Sequence, residues 1–431
     1  MKSLAVVAVF TWASACAAQS TSSDAAAPGK RPPAESRATY VVAQLPEVVP
    51  PKQNAVGPAE QNRIRALIAR LADIDSPYFG LSATLTGAAF APIESAARSD
   101  MLVLTDHRLK CPPAFRDLVA LGPRALPQLL DALDDATPTK LSIPDGGPMS
   151  AAWFDHEMYC ANPLNKRECA AAASLPKVDA MTSEVSSYTL TIGDVCLVAI
   201  GQIVNRAYSA IRYQPTACVV INSPTHDPAF RKAVRDVWRS SDPNALFRSL
   251  LSDLSVEAIP RENLYGWYPI DTLRCEAARR LLYYYPETTA PIIASRLDAL
   301  DLSRLDPFDD NAFVQRCVHN GVRSDEFLAA VSWSDQPAVV AALRRAFDRA
   351  DGVADLIAAS KGVRDPRDSA AVERLLAALH HCPADRYGPH GAQYELLLAL
   401  GRFDAPAIKA AFEEFARKES TTTRRTLCAV L

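Results

Sequence analysis

The fold class turns on residues 114–135, Ala-Phe-Arg-Asp-Leu-Val-Ala-Leu-Gly-Pro-Arg-Ala-Leu-Pro-Gln-Leu-Leu-Asp-Ala-Leu-Asp-Asp. Phe115, Leu118 and Val119 fall on one face of a helix. Leu126, Leu129, Leu130 and Leu133 come next at i, i+3, i+4 and i+7, which defines a second face. Between them stands Gly122-Pro123. Glycine accepts the left-handed conformation that ends a helix, and proline is pre-set for the first turn of the next. The segment therefore predicts two short antiparallel helices, each with an apolar face that needs a neighbour.

The same grammar recurs further along. Cys275, Ala278 and Leu282 share a face that ends at Tyr285-Pro286; Pro291 then reads as a first turn before Ile293, Leu297 and Leu300. Val372, Leu375, Leu376 and Leu379 form another face. Leu396–Leu400, Gly401, Asp404 and Pro406, followed by Ile408, Phe412 and Phe415, repeat the helix, corner, proline, helix order. An earlier helix spans Ala59–Ile74, with Ile64, Leu67, Ile68 and Leu71 together. Units that cannot bury their faces alone stack on one another.

Leu118–Leu133 resembles the helix-turn-helix unit of HEAT repeats, and degenerate copies extend the resemblance over roughly half the chain. It implies an all-α fold, an α/α superhelix or HEAT-like solenoid of antiparallel helix pairs, with a long surface for a partner. No active residues transfer with it.

The composition agrees with a folded, mostly helical chain. Of 431 residues 49% are hydrophobic, and 32 prolines outnumber 16 glycines. Prolines suit first turns and corners and are excluded from sheet interiors. With 46 basic against 49 acidic residues the formal charge is -3, which offers no footprint for nucleic acid or an anionic membrane.

The first 15 residues carry Lys2 and the apolar run Leu4–Ala15, too short for a bilayer span, and read as a signal peptide. Ala13-Ser14-Ala15-Cys16 resembles a relaxed lipobox that departs from the usual pattern at Ala13. That resemblance implies lipidation at Cys16, while Ala13 and Ala15 equally suit ordinary signal peptidase. Residues 16–58 then read as a flexible linker, 59–135 as N-terminal helical repeats, 136–190 as a loop-rich insertion and 191–431 as the helical repeat body. Tyr188–Ile192 and Val219–Asn222 are the two candidate short strands, Asp194–Ala207 reads as a helix, and Asp227-Pro228 starts another that runs through Trp238.

Chemistry-bearing residues concentrate in and beside the insertion. Cys160 and Cys169 flank the polar loop Ala161–Glu168 and are the preferred disulfide pair in an exported protein. Asp155-His156-Glu157 next to these cysteines is the best metal-like group, but adjacent residues seldom converge on one ion, so no metal is expected there. Arg212, Tyr213, His226 and Asp227 fit either a ligand pocket or a hydrogen-bonded buttress. His380-His381 reads as capping of a helix end. Phosphate loops, dinucleotide fingerprints, serine-hydrolase elbows and His-Glu-x-x-His are absent from the sequence, and no cofactor is expected. Two functions stand as expectations. The first is an exported, periplasmic or lipid-anchored scaffold that holds an envelope protein or a cell-envelope polymer. The second is a hydrolase or lyase of an envelope glycan, with its site in the middle insertion.

Overall fold

The computed structural model describes residues 41–52, 55–75, 90–93, 111–144, 151–176, 184–213, 218–258, 270–302, 324–382, 392–404 and 406–418. The chain divides into two units, 1–38 and 39–431, and every described residue belongs to the second. Cys16 and the expected signal peptide lie outside the described residues.

Helix α1 (Pro58–Ala69) starts on a proline, buries Ile64, Leu67 and Ile68, and runs into a 3-10 turn that buries Leu71. The pair read from the deciding segment is α2 (Pro113–Leu121) and α3 (Leu126–Asp131). At the corner Gly122 has φ 56° and ψ -122°. A Cβ there would lie 2.3 Å from Cε1 of Tyr284, whose hydroxyl donates to the Val119 carbonyl at 2.6 Å. The glycine is therefore required twice, for its backbone conformation and for the ring that covers it.

The expected all-α superhelix is contradicted by the strands. Among the described residues about 60% are helical and 9% lie in strands, and the strands pair into small sheets. Strand β1 (Val41–Val42) pairs antiparallel with β8 (Val256–Ala258). It lies inside the expected linker, where Leu45, Val48 and Val56 also pack on the core. β2 (Pro138–Pro144) pairs antiparallel with β5 (Ser187–Thr191). A four-stranded sheet has the order β4 (Glu184–Val185), β3 (Ala152–Asp155), β7 (Val219–Asn222), β6 (Ile211–Tyr213). Its two central strands are parallel, with Ala152 opposite Val219 and Asp155 opposite Asn222. The expected loop-rich stretch at 136–190 holds strands, and the first of them shows a two-residue period. In β2 Thr139, Leu141 and Ile143 are buried while Lys140 and Ser142 are exposed, the alternation of a half-buried strand. The boundary at 190 also divides one sheet, because β6 and β7 come from beyond it.

Helix α4 (Lys166–Ser174) lies between β3 and β4 in sequence, and α5 (Ile192–Val204) forms the centre. All thirteen residues of α5 are buried, so it is apolar on every side and packs against α1, α2, α3 and β5. Its N-terminus approaches closely: a Cβ on Gly193 would meet the Leu133 carbonyl oxygen at 2.7 Å. It ends at Asn205 in the left-handed region, φ 61°. Next come α6 (Pro228–Trp238), α7 (Ala245–Ser255), α8 (Ile270–Tyr284) and α9 (Pro286–Asp298). Pro286, not Pro291, occupies the first turn of α9; Pro291 lies inside the helix.

The remaining described helices are α10 (Ser324–Val331), α11 (Pro337–Arg349), α12 (Val353–Ser360), α13 (Ser369–His381), α14 (Ala392–Leu400) and α15 (Pro406–Lys418). They stack on alternate neighbours: α8 on α10, α10 on α12 and α12 on α14, with α9 on α11 and α13 on α15. Arg345 of α11 locks onto Asp298 of α9 through two hydrogen bonds of 2.9 and 2.7 Å.

Candidate functional site

Parallel pairing of β3 with β7 brings the C-terminal ends of both strands to one edge, and the residues just past them are polar. Asn222 ties the edge together. Its Oδ1 accepts the Glu157 backbone N–H at 2.9 Å, and its Nδ2 donates to the Ser209 carbonyl at 2.9 Å. Two clusters that are 55 to 71 residues apart in sequence thereby meet.

Glu157 and Arg212 form a two-pronged ion pair, with Nε to Oε2 at 2.8 Å and Nη2 to Oε1. The Glu157 carboxylate holds the Arg212 guanidinium above its ordinary pKa. His156 is buried, and its Nδ1 lies 2.9 Å from Oδ2 of Asp227. The other carboxylate oxygen of Asp227 accepts the backbone N–H groups of Ala229 and Phe230 at 2.8 and 3.0 Å, capping α6. His226 is exposed and lies flat on Phe154, ring centroids 3.6 Å apart and 9° between planes. Asp155 accepts the backbone N–H of His156 through Oδ1 at 2.7 Å. Tyr213 is the last residue of β6, opposite Val219.

Asp155, His156 and Glu157 therefore engage three different partners, and among the described residues no group of three His, Cys, Asp or Glu side chains is arranged to hold a metal. Of the ligand-surface candidates, Arg212 forms an ion pair with Glu157, Asp227 is hydrogen-bonded to His156, and His226 stacks on Phe154. At the end of α13, His381 Nδ1 lies 2.7 Å from the Ala377 carbonyl.

The α5 N-terminus carries a third group. Thr191 and Asp194 form a capping box, with the Thr191 N–H to Oδ2 at 2.8 Å and the Asp194 N–H to Oγ1 at 3.3 Å. The Asp194 carboxylate also receives the Tyr188 hydroxyl at 2.7 Å and the Ser223 hydroxyl at 2.6 Å. It is fully buried, and burial raises its pKa.

A fourth group lies beneath the disulfide loop. Cys160 and Cys169 are joined, with Cα atoms 4.6 Å apart. The loop they close sends Asn162 and Glu168 inward, both 0% exposed. Arg206 donates to Glu168 at 2.6 Å and to both oxygens of Asp253 at 2.6 and 3.2 Å, while its guanidinium carbon sits 5.3 Å from the Trp238 ring centroid. Asn162 and Asn205 complete the shell of Asp253 at 2.8 and 3.1 Å. One cation faces two carboxylates, and burial raises the pKa of Glu168. A proton on Glu168 leaves the cluster neutral, the state that a dry interior favours.

Sequence reasoning missed Asn222, Asp194, Glu168 and Asp253. Thr191-x-x-Asp194 was the one legible signal, as a capping box. The other three gain meaning only from strand and helix pairings distant in sequence. No family model, curated protein or solved structure matches this chain.

Proposed function

We propose that this protein is an extracytoplasmic binding scaffold in which the inserted sheet is a brace and the helical body offers the partner surface. One observation supports the reading: at the β3/β7 edge Glu157 is paired with Arg212, and the Nδ1 of His156 with Asp227, which also caps α6. A general acid or base has to reach a substrate proton with a lone pair or N–H to spare. Here Glu157–Arg212 ties the segment after β3 to β6, and His156–Asp227 ties it to α6. The partner is another envelope protein or a cell-envelope polymer. Export by the N-terminal segment, with Cys16 lipidated or the segment simply cleaved, belongs to the same proposal.

Two measurements test it. Mass spectrometry of the mature protein from a bacterial host reads the first residue, and an intact Met1 start overturns the compartment. Cross-linking in intact cells, followed by purification, recovers the same partner under several growth conditions. Failure to recover one under any of them overturns the scaffold.

A glycan-cleaving enzyme is the second reading, favoured by the collection of Asp155, Glu157 and Asp227 at and just past the C-terminal ends of β3 and β7. It predicts that wild-type protein releases soluble fragments from isolated envelope glycan.

A further inference from the structure

A cleft of about 420 Å³ lies between α4 and α6, lined by five cationic side chains, Arg167, Arg231, Lys232, Arg235 and Arg239, and one carboxylate, Asp236. Its volume falls within the range of small-ligand sites, which run from about 300 to 1,000 Å³. The cations are not equivalent. Arg235 is held by the carbonyls of Leu130 and Asp131 at 2.8 and 2.9 Å and by Asp134 at 3.1 Å. Arg239 is paired with Asp131, and Lys232 with Asp236. Arg167 and Arg231 donate to backbone carbonyls, those of Arg239 and Pro224, and neither is in contact with a carboxylate among the described residues, Arg231 acting on Asp134 only at longer range. Two guanidinium groups from two helices therefore keep their charge available at one cavity.

A guanidinium presents a planar fork of N–H donors that matches carboxylate or phosphate oxygens in pairs. The charge discriminates between them. A phosphate monoester carries about -1.5 to -2 at neutral pH and so balances two guanidinium groups. A single carboxylate leaves one unbalanced. We propose that the α4/α6 cleft binds a phosphomonoester on a sugar-sized body, clamped by Arg167 and Arg231, while Arg235 and Arg239 hold the wall in place. The ligand is either a free sugar phosphate or the phosphomonoester headgroup of a lipid. This inference is independent of the scaffold reading, since it depends on neither the compartment nor the partner of the helical body.

The test uses the full chain and isothermal titration with glucose 1-phosphate, with glucuronate as the carboxylate comparison. A second arm measures co-sedimentation with phosphatidylcholine vesicles that do or do not contain phosphatidate. Saturable binding of glucose 1-phosphate, at least tenfold tighter than glucuronate, is expected. Arg167→Gln/Arg231→Gln weakens it at least tenfold with the melting temperature unchanged, and Arg345→Gln on α11 leaves it alone. Arg167→Lys/Arg231→Lys keeps the charge without the fork and binds with intermediate strength. Binding to phosphatidate vesicles alone, lost in the glutamine variant, supports the cleft and assigns the headgroup as ligand. Three outcomes overturn the proposal: no saturable binding in either arm, glucuronate binding as tightly as glucose 1-phosphate, or wild-type affinity in the glutamine or lysine variant.

Discussion

Replacing Arg206 by methionine probes the joint between the disulfide loop and the helical body. The guanidinium is 1% exposed and contacts two carboxylates that are 0% exposed. Methionine fills much of the volume but leaves Glu168 and Asp253 facing one another without a cation. Glu168 relieves itself by taking a proton, since burial already raises its pKa. Asp253 keeps the donors Asn162 and Asn205 but remains a buried charge. One uncompensated buried charge costs about 3–5 kcal/mol when its partner is removed. Urea unfolding followed by circular dichroism at pH 7 reads that loss as a lower midpoint at unchanged slope. A loss below about 1 kcal/mol at pH 7 would show that the cluster is not a buried ion network under mutual compensation.

Other perturbations have equally direct outcomes. Glu168→Gln flattens the pH dependence of stability: the folded state binds this proton more tightly, so Glu168 contributes stability at low pH. That contribution falls as pH rises from the ordinary 4.5 towards the raised value, and chemical denaturation at stepped pH detects its absence in the variant. Gly122→Ala destabilises by at least about 1–3 kcal/mol, from a strained positive φ and collision with Tyr284, and lowers the thermal midpoint; an unchanged midpoint refutes the corner geometry. Reduction of Cys160–Cys169, whose partners are nine residues apart in sequence, removes about 2–3 kcal/mol by chain entropy, so the melting temperature drops on adding dithiothreitol and does not drop in the Cys160→Ser/Cys169→Ser variant.

What the sequence made legible was local. Asp227-Pro228 marked the start of α6 because a side-chain acceptor followed by proline is sufficient to begin a helix, and the helix runs Pro228–Trp238 as read. Gly122-Pro123 marked the α2/α3 corner for the same kind of reason. Pro291 misled because Pro286 had already taken the first turn, and packing of Ile292, Ile293 and Leu297 sustains the helix through the second proline. The sheet was illegible at its centre. Ala152–Asp155 is four residues long with little alternation, and its parallel partner Val219–Asn222 lies far along the chain across a crossover. Val219–Asn222 could be recognised as a strand, being an apolar run bounded by Ser223-Pro224, but nothing local names its neighbour. The candidate site suffered in the same way. Asp155-His156-Glu157 and Arg212, His226 and Asp227 were each conspicuous, yet their meeting is a consequence of strand pairing. Local spacing shows which residues are polar, and tertiary contact decides whether they are free to do chemistry.

The central claim, that the acid–base residues at the β3/β7 edge brace the fold and do not turn over a substrate, is tested most directly by Glu157→Gln. The measurement is release of soluble fragments from isolated envelope glycan by wild type and variant, each sample also taken through urea unfolding. Loss of the charged pair with Arg212 is expected to lower stability by about 1–3 kcal/mol, with no fragments released by either protein. Fragment release by the wild type that vanishes in Glu157→Gln at unchanged stability would contradict the account and make the edge an active site.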